Sequence, residues 1–291
     1  MSIARTTKLP RTGTKVQLAK TLGVSRASLY YQPKRPAIDQ ELKCQIESVL
    51  TDHPSYGHKR IALELKLNKK RIRRVMKKFG IQPYRRRAKC PYKPEDQNKP
   101  VTQYQNHIKY ICPIRPNVVW VSDFTYIRFQ ERFIYLATVM DLYTREVIGW
   151  NISRYHNKEL VTGALINAEE RTNSKPIYLH SDQGSEYESD DYTTLAENQG
   201  IIISMSKKSS PWENPFQESF YSHYKVDLGH TDRFETLGEL IEAIYLTIHD
   251  YNCNRIHTSL KTNPKQFKEQ YQNKQKQITK SEDKVSKELG T

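Results

Sequence analysis

Along the chain the spacing of hydrophobic positions changes character near residue 118. Before that point, apolar residues recur at helical intervals. Leu18, Ala19 and Leu22, followed by Gly23 and by Ser25 as a cap for a segment carrying Arg26, Ser28 and Tyr30, predict two short helices around a turn over 14–31. A further helix is predicted near 39–51. Within 56–80, Ile61 and Leu65 mark one helix and Asn68 caps the next. That second helix carries Ile72, Val75, Met76 and Phe79 at i, i+3, i+4 and i+7, and Gly80 stops it.

From Val118 the period becomes that of strands. VVWVSDFTYIRF, RFIYLATVMDL and REVIGWNISRY predict a meander of three antiparallel strands. Helices are predicted at 158–171, 190–198, 214–226 and 236–251, with short buried strands at 177–181 and 201–205. Strands alternating with helices in this order predict a mixed sheet with helices packed on its faces. Between the two regimes, 83–116 hold six of the fourteen prolines and the triplet Arg85, Arg86, Arg87, which predicts an extended linker. The expected organisation is therefore two helix-turn-helix units, 1–35 and 36–82, a basic linker at 83–117, an α/β core at 118–270 and a disordered, polar tail at 271–291.

Charge sharpens this division. The chain of 291 residues has a formal net charge of +15, yet residues 1–110 hold 26 Lys and Arg against 7 Asp and Glu, while the remainder is slightly acidic. A segment so basic gains affinity for a polyanion by releasing counterions. Between Asn68 and Gly80 no acid balances Arg71, Arg73, Arg74, Lys77 and Lys78, so phosphate contact is the expected role of that helix. The longest purely aliphatic run is Ile201–Ile203, far short of a membrane span. The first residues lack the apolar stretch of a signal peptide, so the expected place is the cytoplasm. Cys44, Cys90, Cys112 and Cys253 form no CxxC pair, which disfavours disulfides and cysteine-paired zinc. His53, His58 and Cys90 could begin a zinc module, but position 93 is Lys.

Three carboxylates stand where such a sheet would gather them. Asp123 lies in the first strand, Asp182 follows the fourth in HSDQGSEY, and Glu218 lies on a helix, with 58 residues between the first pair and 35 between the second. Acids clustered beside a sheet raise one another's pKa unless a cation neutralises them, and oxygen donors suit Mg²⁺ or Mn²⁺. Asp141 is instead assigned to a turn, and Gly184 to a close backbone approach beside Asp182. Lys225 lies two helical turns after Glu218, on nearly the same face, where it could hold a phosphate. His257 is read as bracing the C-terminal helix rather than as a base, and Trp212 as packing at the entrance to the helix of Glu218.

These blocks carry a resemblance. WVSDFTYI at 120–127, TVMDLYTREVIGW at 138–150, HSDQGSEY at 180–187, SMSKKSSPWENPFQESFYSHYK at 204–225 and YNCNRIHTSLKTNPKQF at 251–267 look like the second-frame transposase of the insertion sequence three family, whose core is similar to retroviral integrases. The segment from SYGHKRIALEL to KKFGI resembles its helix-turn-helix module. The resemblance implies a ribonuclease H-like core and a DDE triad of Asp123, Asp182 and Glu218 binding two Mg²⁺ or Mn²⁺ ions, with Lys225 as the basic residue after the glutamate. It further implies cleavage at transposon ends and strand transfer into target DNA. The partners it implies are duplex terminal repeats, target DNA, further copies of the chain on paired ends, and the first-frame product of the element, with no membrane partner. Arg26, Ser28, the five cations of 71–78, Arg85, Arg86, Arg87 and Lys225 are the expected DNA contacts. Phe216 and Gln217 depart from the small or aliphatic residues usual there, and Ser209 from glycine. A catalytically silent regulator is disfavoured by the intact triad, and a nuclease that cuts without joining differs only in its products.

Overall fold

A computed structural model of the chain describes residues 15–29, 35–84, 103–207 and 213–288. Its helical part begins with α1 (Lys15–Thr21), a turn at Gly23 with φ of 63°, and a single 3₁₀ turn at Arg26–Leu29. Only that single 3₁₀ turn is described where the second short helix was expected, and Tyr30 lies outside the described residues. Then come α2 (Arg35–Asp52), α3 (His58–Glu64) and α4 (Lys69–Phe79). Asn68 caps α4 by accepting from Lys70 N at 2.8 Å, and Gly80 ends it in the left-handed region. Leu42, Ile46, Tyr56, Ile61, Ile72 and Val75 form the core of this module.

The second part is a five-stranded mixed sheet in the order β3-β2-β1-β4-β5. The meander β1 (Val119–Phe129), β2 (Arg132–Asp141) and β3 (Val147–Ser153) is antiparallel; β4 (Tyr178–Ser181) runs parallel to β1, and β5 (Ile202–Met205) parallel to β4. α5 (Lys158–Thr172) and α6 (Asp190–Asn198) cover one face, burying Leu160, Ala164 and Ala196 against Trp120 and Val139. α7 (Pro215–Leu228) and α8 (Leu237–Cys253) cover the other, packing Phe220, Tyr224 and Ile244 on Val121 and Leu136. Alternation along β1 feeds both layers, since successive residues point to opposite faces.

Two expectations need correction. Residues 103–117, read as linker, lie on the core: Ile108 is buried in it, and His107 N donates to Ser204 Oγ at 2.9 Å. The terminal segment read as disordered continues α9 (Pro264–Glu288). Lys, Gln and Glu are all good helix formers, so a polar composition did not preclude a helix.

The two parts are joined by a buried polar contact. Arg255, only 1% exposed, ion-pairs with Asp227 of α7 and donates to Ser55 Oγ at 2.9 Å, while Ile256 N donates to Tyr56 Oη at 2.6 Å. No described helix is long and apolar enough to cross a membrane.

Candidate active site

β1 is the strand on which the site is assembled. Asp123 lies at its middle, half-buried and paired in register with Thr138 of β2. β4 accompanies β1 only from Val119↔Tyr178 to Val121↔His180. Continuing that register by two residues sets Asp182 beside Asp123, at the point where β4 ends. Neighbouring strands are about 5 Å apart, and Asp182 is near enough for its charge to act on the Asp123 carboxyl.

The segment carrying Asp182 is fastened to the same strand. Tyr187 is fully buried, and its Oη is 3.2 Å from Ser122 Oγ. Asp182 Oδ1 accepts from Gly184 N at 3.1 Å; a Cβ at Gly184 would stand 2.9 Å from Glu186 Oε2 and 3.2 Å from Asp182 Oδ1. A larger residue there would have to displace these two carboxylates, which glycine leaves undisturbed. Glu186 is taken up by His156 Nδ1 at 2.8 Å.

Glu218 stands exposed in the first turn of α7, and its neighbours on that helix pin it. Gln217, with no exposed surface, donates through Nε2 to Val121 O at 2.7 Å and Thr138 O at 3.3 Å, and accepts from Thr138 Oγ1 at 3.2 Å. Tyr221 Oη lies 2.8 Å from Thr138 Oγ1 and donates to Asp123 O at 2.6 Å. Polar groups on either side of Glu218 thus bond directly to β1 and β2.

The electrostatics follow from this crowding. Burial foremost, then the nearby Asp182 and, more weakly, Glu218, push the Asp123 carboxyl up to about 8, against the Phe124 N–H donated to it and the charge of Lys225. Burial also raises Asp182, assisted by Glu186 and Glu188 and opposed by the Gly184 N–H. Lys225, two turns after Glu218, holds its ammonium 4.5 Å from the Tyr126 ring centroid. Among the described residues no three His, Cys, Asp or Glu side chains close as they stand into a ligand set for an ion.

The other expected residues separate into groups. Arg71, Arg73 and Lys77 are exposed on α4. Arg74 and Lys78 are also exposed but ion-paired: each lies 2.8 Å from Asp39 Oδ2, from α2, which supplies the acid that the 68–80 segment lacks. Their cations hold the Asp39 carboxyl well below the usual range. Arg26 is exposed, and Ser28 Oγ meets Ser25 Oγ at 2.8 Å. Arg85, Arg86, Arg87, Ser209 and Trp212 lie outside the described residues, as does Cys90 of the zinc reading. His53 stacks on Tyr56 at 4.4 Å and sits 3.6 Å from Asp250. Asp141 closes its turn by accepting from Asn117 N and Thr144 N, both at 2.7 Å. His257 is a brace: its ring meets Tyr251 edge-on at 5.1 Å, and burial drives its pKa down to about 3.

Sequence reasoning took Gln217 only as a departure from the family pattern and Tyr221 only as a helix residue near the site, and it passed over Thr138 and Tyr187. The available signal was the i, i+4 pair Gln217 and Tyr221, a polar group interrupting the apolar stripe of Phe220 and Tyr224.

Comparison with known proteins accords with this architecture. The integrase core domain family matches residues 113–211, and a second integrase core domain description matches 199–264. The transposase for insertion sequence element IS904 of Lactococcus lactis is 31% identical over 250 residues, 82% of this chain and 98% of that protein. An uncharacterized 31 kDa protein of insertion element IS600 from Shigella sonnei is 32% identical over 87% of this chain and 98% of its own length. Among solved structures, the integrase catalytic core domain of HTLV-2 in complex with magnesium aligns with a TM-score of 0.41 at 17% identity, over 50% of this chain and 92% of that one. With its five-stranded mixed sheet and its integrase core domain match, the chain belongs to the insertion-sequence transposases, enzymes of DNA transposition.

Proposed function

We propose that Asp123, Asp182 and Glu218 form the catalytic triad of this transposase and hold Mg²⁺ or Mn²⁺, two ions in the working site. The observation that carries the reading is the Asp123 carboxyl, forced up to about 8 by burial and by Asp182. Such a cluster is stable as an anion only with added positive charge beyond that of Lys225. Its donors are all oxygen, which fits a hard divalent ion. Bound there, the ions would polarise the scissile phosphate and favour an ionised attacking oxygen.

The chain's own residues do the positioning. Cleavage forms a bond from a water oxygen to phosphorus and breaks the bond to the 3′ oxygen at the end of the element. Joining forms a bond from that 3′ oxygen to a target phosphorus and releases the target's own 3′ oxygen. Both displacements need the attacking oxygen, phosphorus and leaving group in line. Gln217, Tyr221 and Tyr187 serve this by holding the segments of Glu218 and Asp182 on β1, and Lys225 offers a charge to a non-bridging phosphate oxygen. No serine or tyrosine nucleophile is required.

The proposed partners are terminal-repeat duplex bound through Arg71, Arg73 and Lys77, with Arg26, Ser28 and Arg85 to Arg87 as further contacts, and target DNA. Copies of the chain would assemble on paired ends, and the first-frame product of the element is a further candidate. The bacterial nucleoid is the proposed place of action. The module boundaries proposed are those of the sequence, with the core extended back to residue 103 and the terminal segment taken as the continuation of α9. A strand-transfer assay on the element's terminal DNA and a supercoiled target, in Mg²⁺ or Mn²⁺, tests the reading. Joined product from the native chain and none from Asp182→Asn is expected; equal joining by both would overturn it. DNA binding by both without joining would favour a regulator.

A further inference from the structure

The helical module and α7 do not close completely against each other. Between them run two adjoining hollows of about 460 and 600 Å³ that share Tyr84 and Val226 in their walls. The first is lined by Lys59 and Arg60, with His58 and His223; the second by Arg128 and Lys225. Among the described residues no Asp or Glu lines either one. The nearest acid on α7, Asp227, is taken up by Arg255 and Ser55. Arg60 keeps a buried Nε without a hydrogen-bond partner among the described residues. This trough has an excess of cations and an unmet donor.

It also presents aromatic faces. Tyr84 is 54% exposed yet held in place by its N–H, which donates to Pro54 O at 2.9 Å. Tyr126 is 59% exposed, braced edge-on by Phe133 at 5.3 Å and by the Lys225 ammonium over its ring. Large exposed rings interleaved with cations match an unpaired nucleic-acid strand, whose bases offer π-faces that a duplex keeps stacked inside. The trough also adjoins the helix of Glu218: Ser222 and Lys225 on its wall lie one and two helical turns after that residue.

We propose that this trough holds an unpaired DNA strand leading to or from the scissile phosphate, with its backbone on Lys59, Arg60 and Arg128 and its bases on Tyr84 and Tyr126. The direction of the strand rests on the reading of Glu218 as catalytic; the binding does not.

The test is fluorescence anisotropy with the full chain in EDTA, using a labelled mixed-sequence single strand and a blunt duplex of the same sequence. The variants are the double substitution Tyr84→Ser with Tyr126→Ser, its Phe counterpart, Arg60→Gln and Glu218→Gln. The serine pair should bind the single strand at least about tenfold more weakly, since each base stacked on a ring is worth a factor of that order. Duplex binding should stay within about twofold. The phenylalanine pair keeps the rings and should bind as the native chain does, which separates lost stacking from misfolding. Arg60→Gln should lower the slope of log affinity against log salt for the single strand by about 0.7. Unchanged single-strand binding by the serine pair, or an equal loss for strand and duplex, would overturn the proposal. Glu218→Gln should bind both as the native chain does. Joining that survives Glu218→Gln would remove the catalytic reading and leave the trough standing, so the two can fail separately.

Discussion

α4 and α7 are helices of 11 and 14 residues that use their buried faces in opposite ways. α4 buries only Ile72, Val75 and Met76, and turns its cations outward. α7 buries Gln217, Tyr221 and Tyr224 beside Phe220, and Gln217 and Tyr221 bond to specific carbonyls of β1 and β2. Apolar contact is non-directional, so a helix seated by it can settle by a fraction of an ångström at little cost. Hydrogen bonds in a dry interior are directional and costly to leave unmade. Presenting charge to a polyanion needs only the first kind of seating. Holding a carboxylate beside two others needs the second.

The sharpest way to break this comparison is to remove the carboxylate alone. Glu218→Gln should abolish joined product in the strand-transfer assay while leaving unfolding stability within about 0.5 kcal/mol, because the side chain is exposed. Joining retained by that variant would strip α7 of its distinction. Next in size, Gln217→Leu removes the amide that bonds the Thr138 hydroxyl and the Val121 and Thr138 carbonyls, leaving the hydroxyl only Tyr221 Oη, and should cost about 1–3 kcal/mol in urea unfolding, with slower joining although Glu218 is intact. Native stability in that variant would make the two helices alike.

The two regions should also answer pH with opposite sign. Asp39 has a folded pKa depressed by Arg74 and Lys78, so its contribution is present above about pH 4 and is lost as pH falls below it. Asp123 has a raised folded pKa, so in chelator its contribution is present in acid and is lost as pH rises through about 8. Thermal melts in EDTA should show each limb vanish in Asp39→Asn and Asp123→Asn respectively, and added Mg²⁺ should restore stability mainly on the alkaline side. The smallest effect belongs to the exposed cations. Arg71→Gln or Arg73→Gln should reduce the salt slope of duplex binding by about 1 at unchanged stability, whereas Arg74→Gln should also lower stability by loosening Asp39. A stability loss in all three would mean that α4 is seated by charge after all.

The same contrast explains what could be read in advance. The apolar face of α4, its Asn68 cap and its Gly80 stop are local patterns, and the structure has them where the periodicity places them. The meander of β1 to β3 and the strand-end position of Asp182 were equally legible, since alternation and turns are local too. Missing from that reading were the pairing of Arg74 and Lys78 with Asp39, 35 and 39 positions away, and the 79-residue reach from Thr138 to Gln217. The length of α9 was missed for another reason: polarity was read as disorder, although its residues favour helices.

By itself, then, the sequence determined the two regimes of the chain, the confinement of basic charge to the first third, and the three acids whose blocks carry the resemblance to the insertion-sequence transposases. Each of these is a property of residue type and of neighbours a few positions apart. Only the tertiary structure decided which cations on α4 are already paired, that β4 runs parallel beside β1 and so brings Asp182 near Asp123, and that Gln217 and Tyr221 fasten Glu218's helix to β1. The trough between helical module and core belongs with these, since its walls come from segments more than a hundred residues apart. Such contacts arise from closing long loops of chain onto one another, and the free energy of that closure is distributed over the whole core rather than written at any one position.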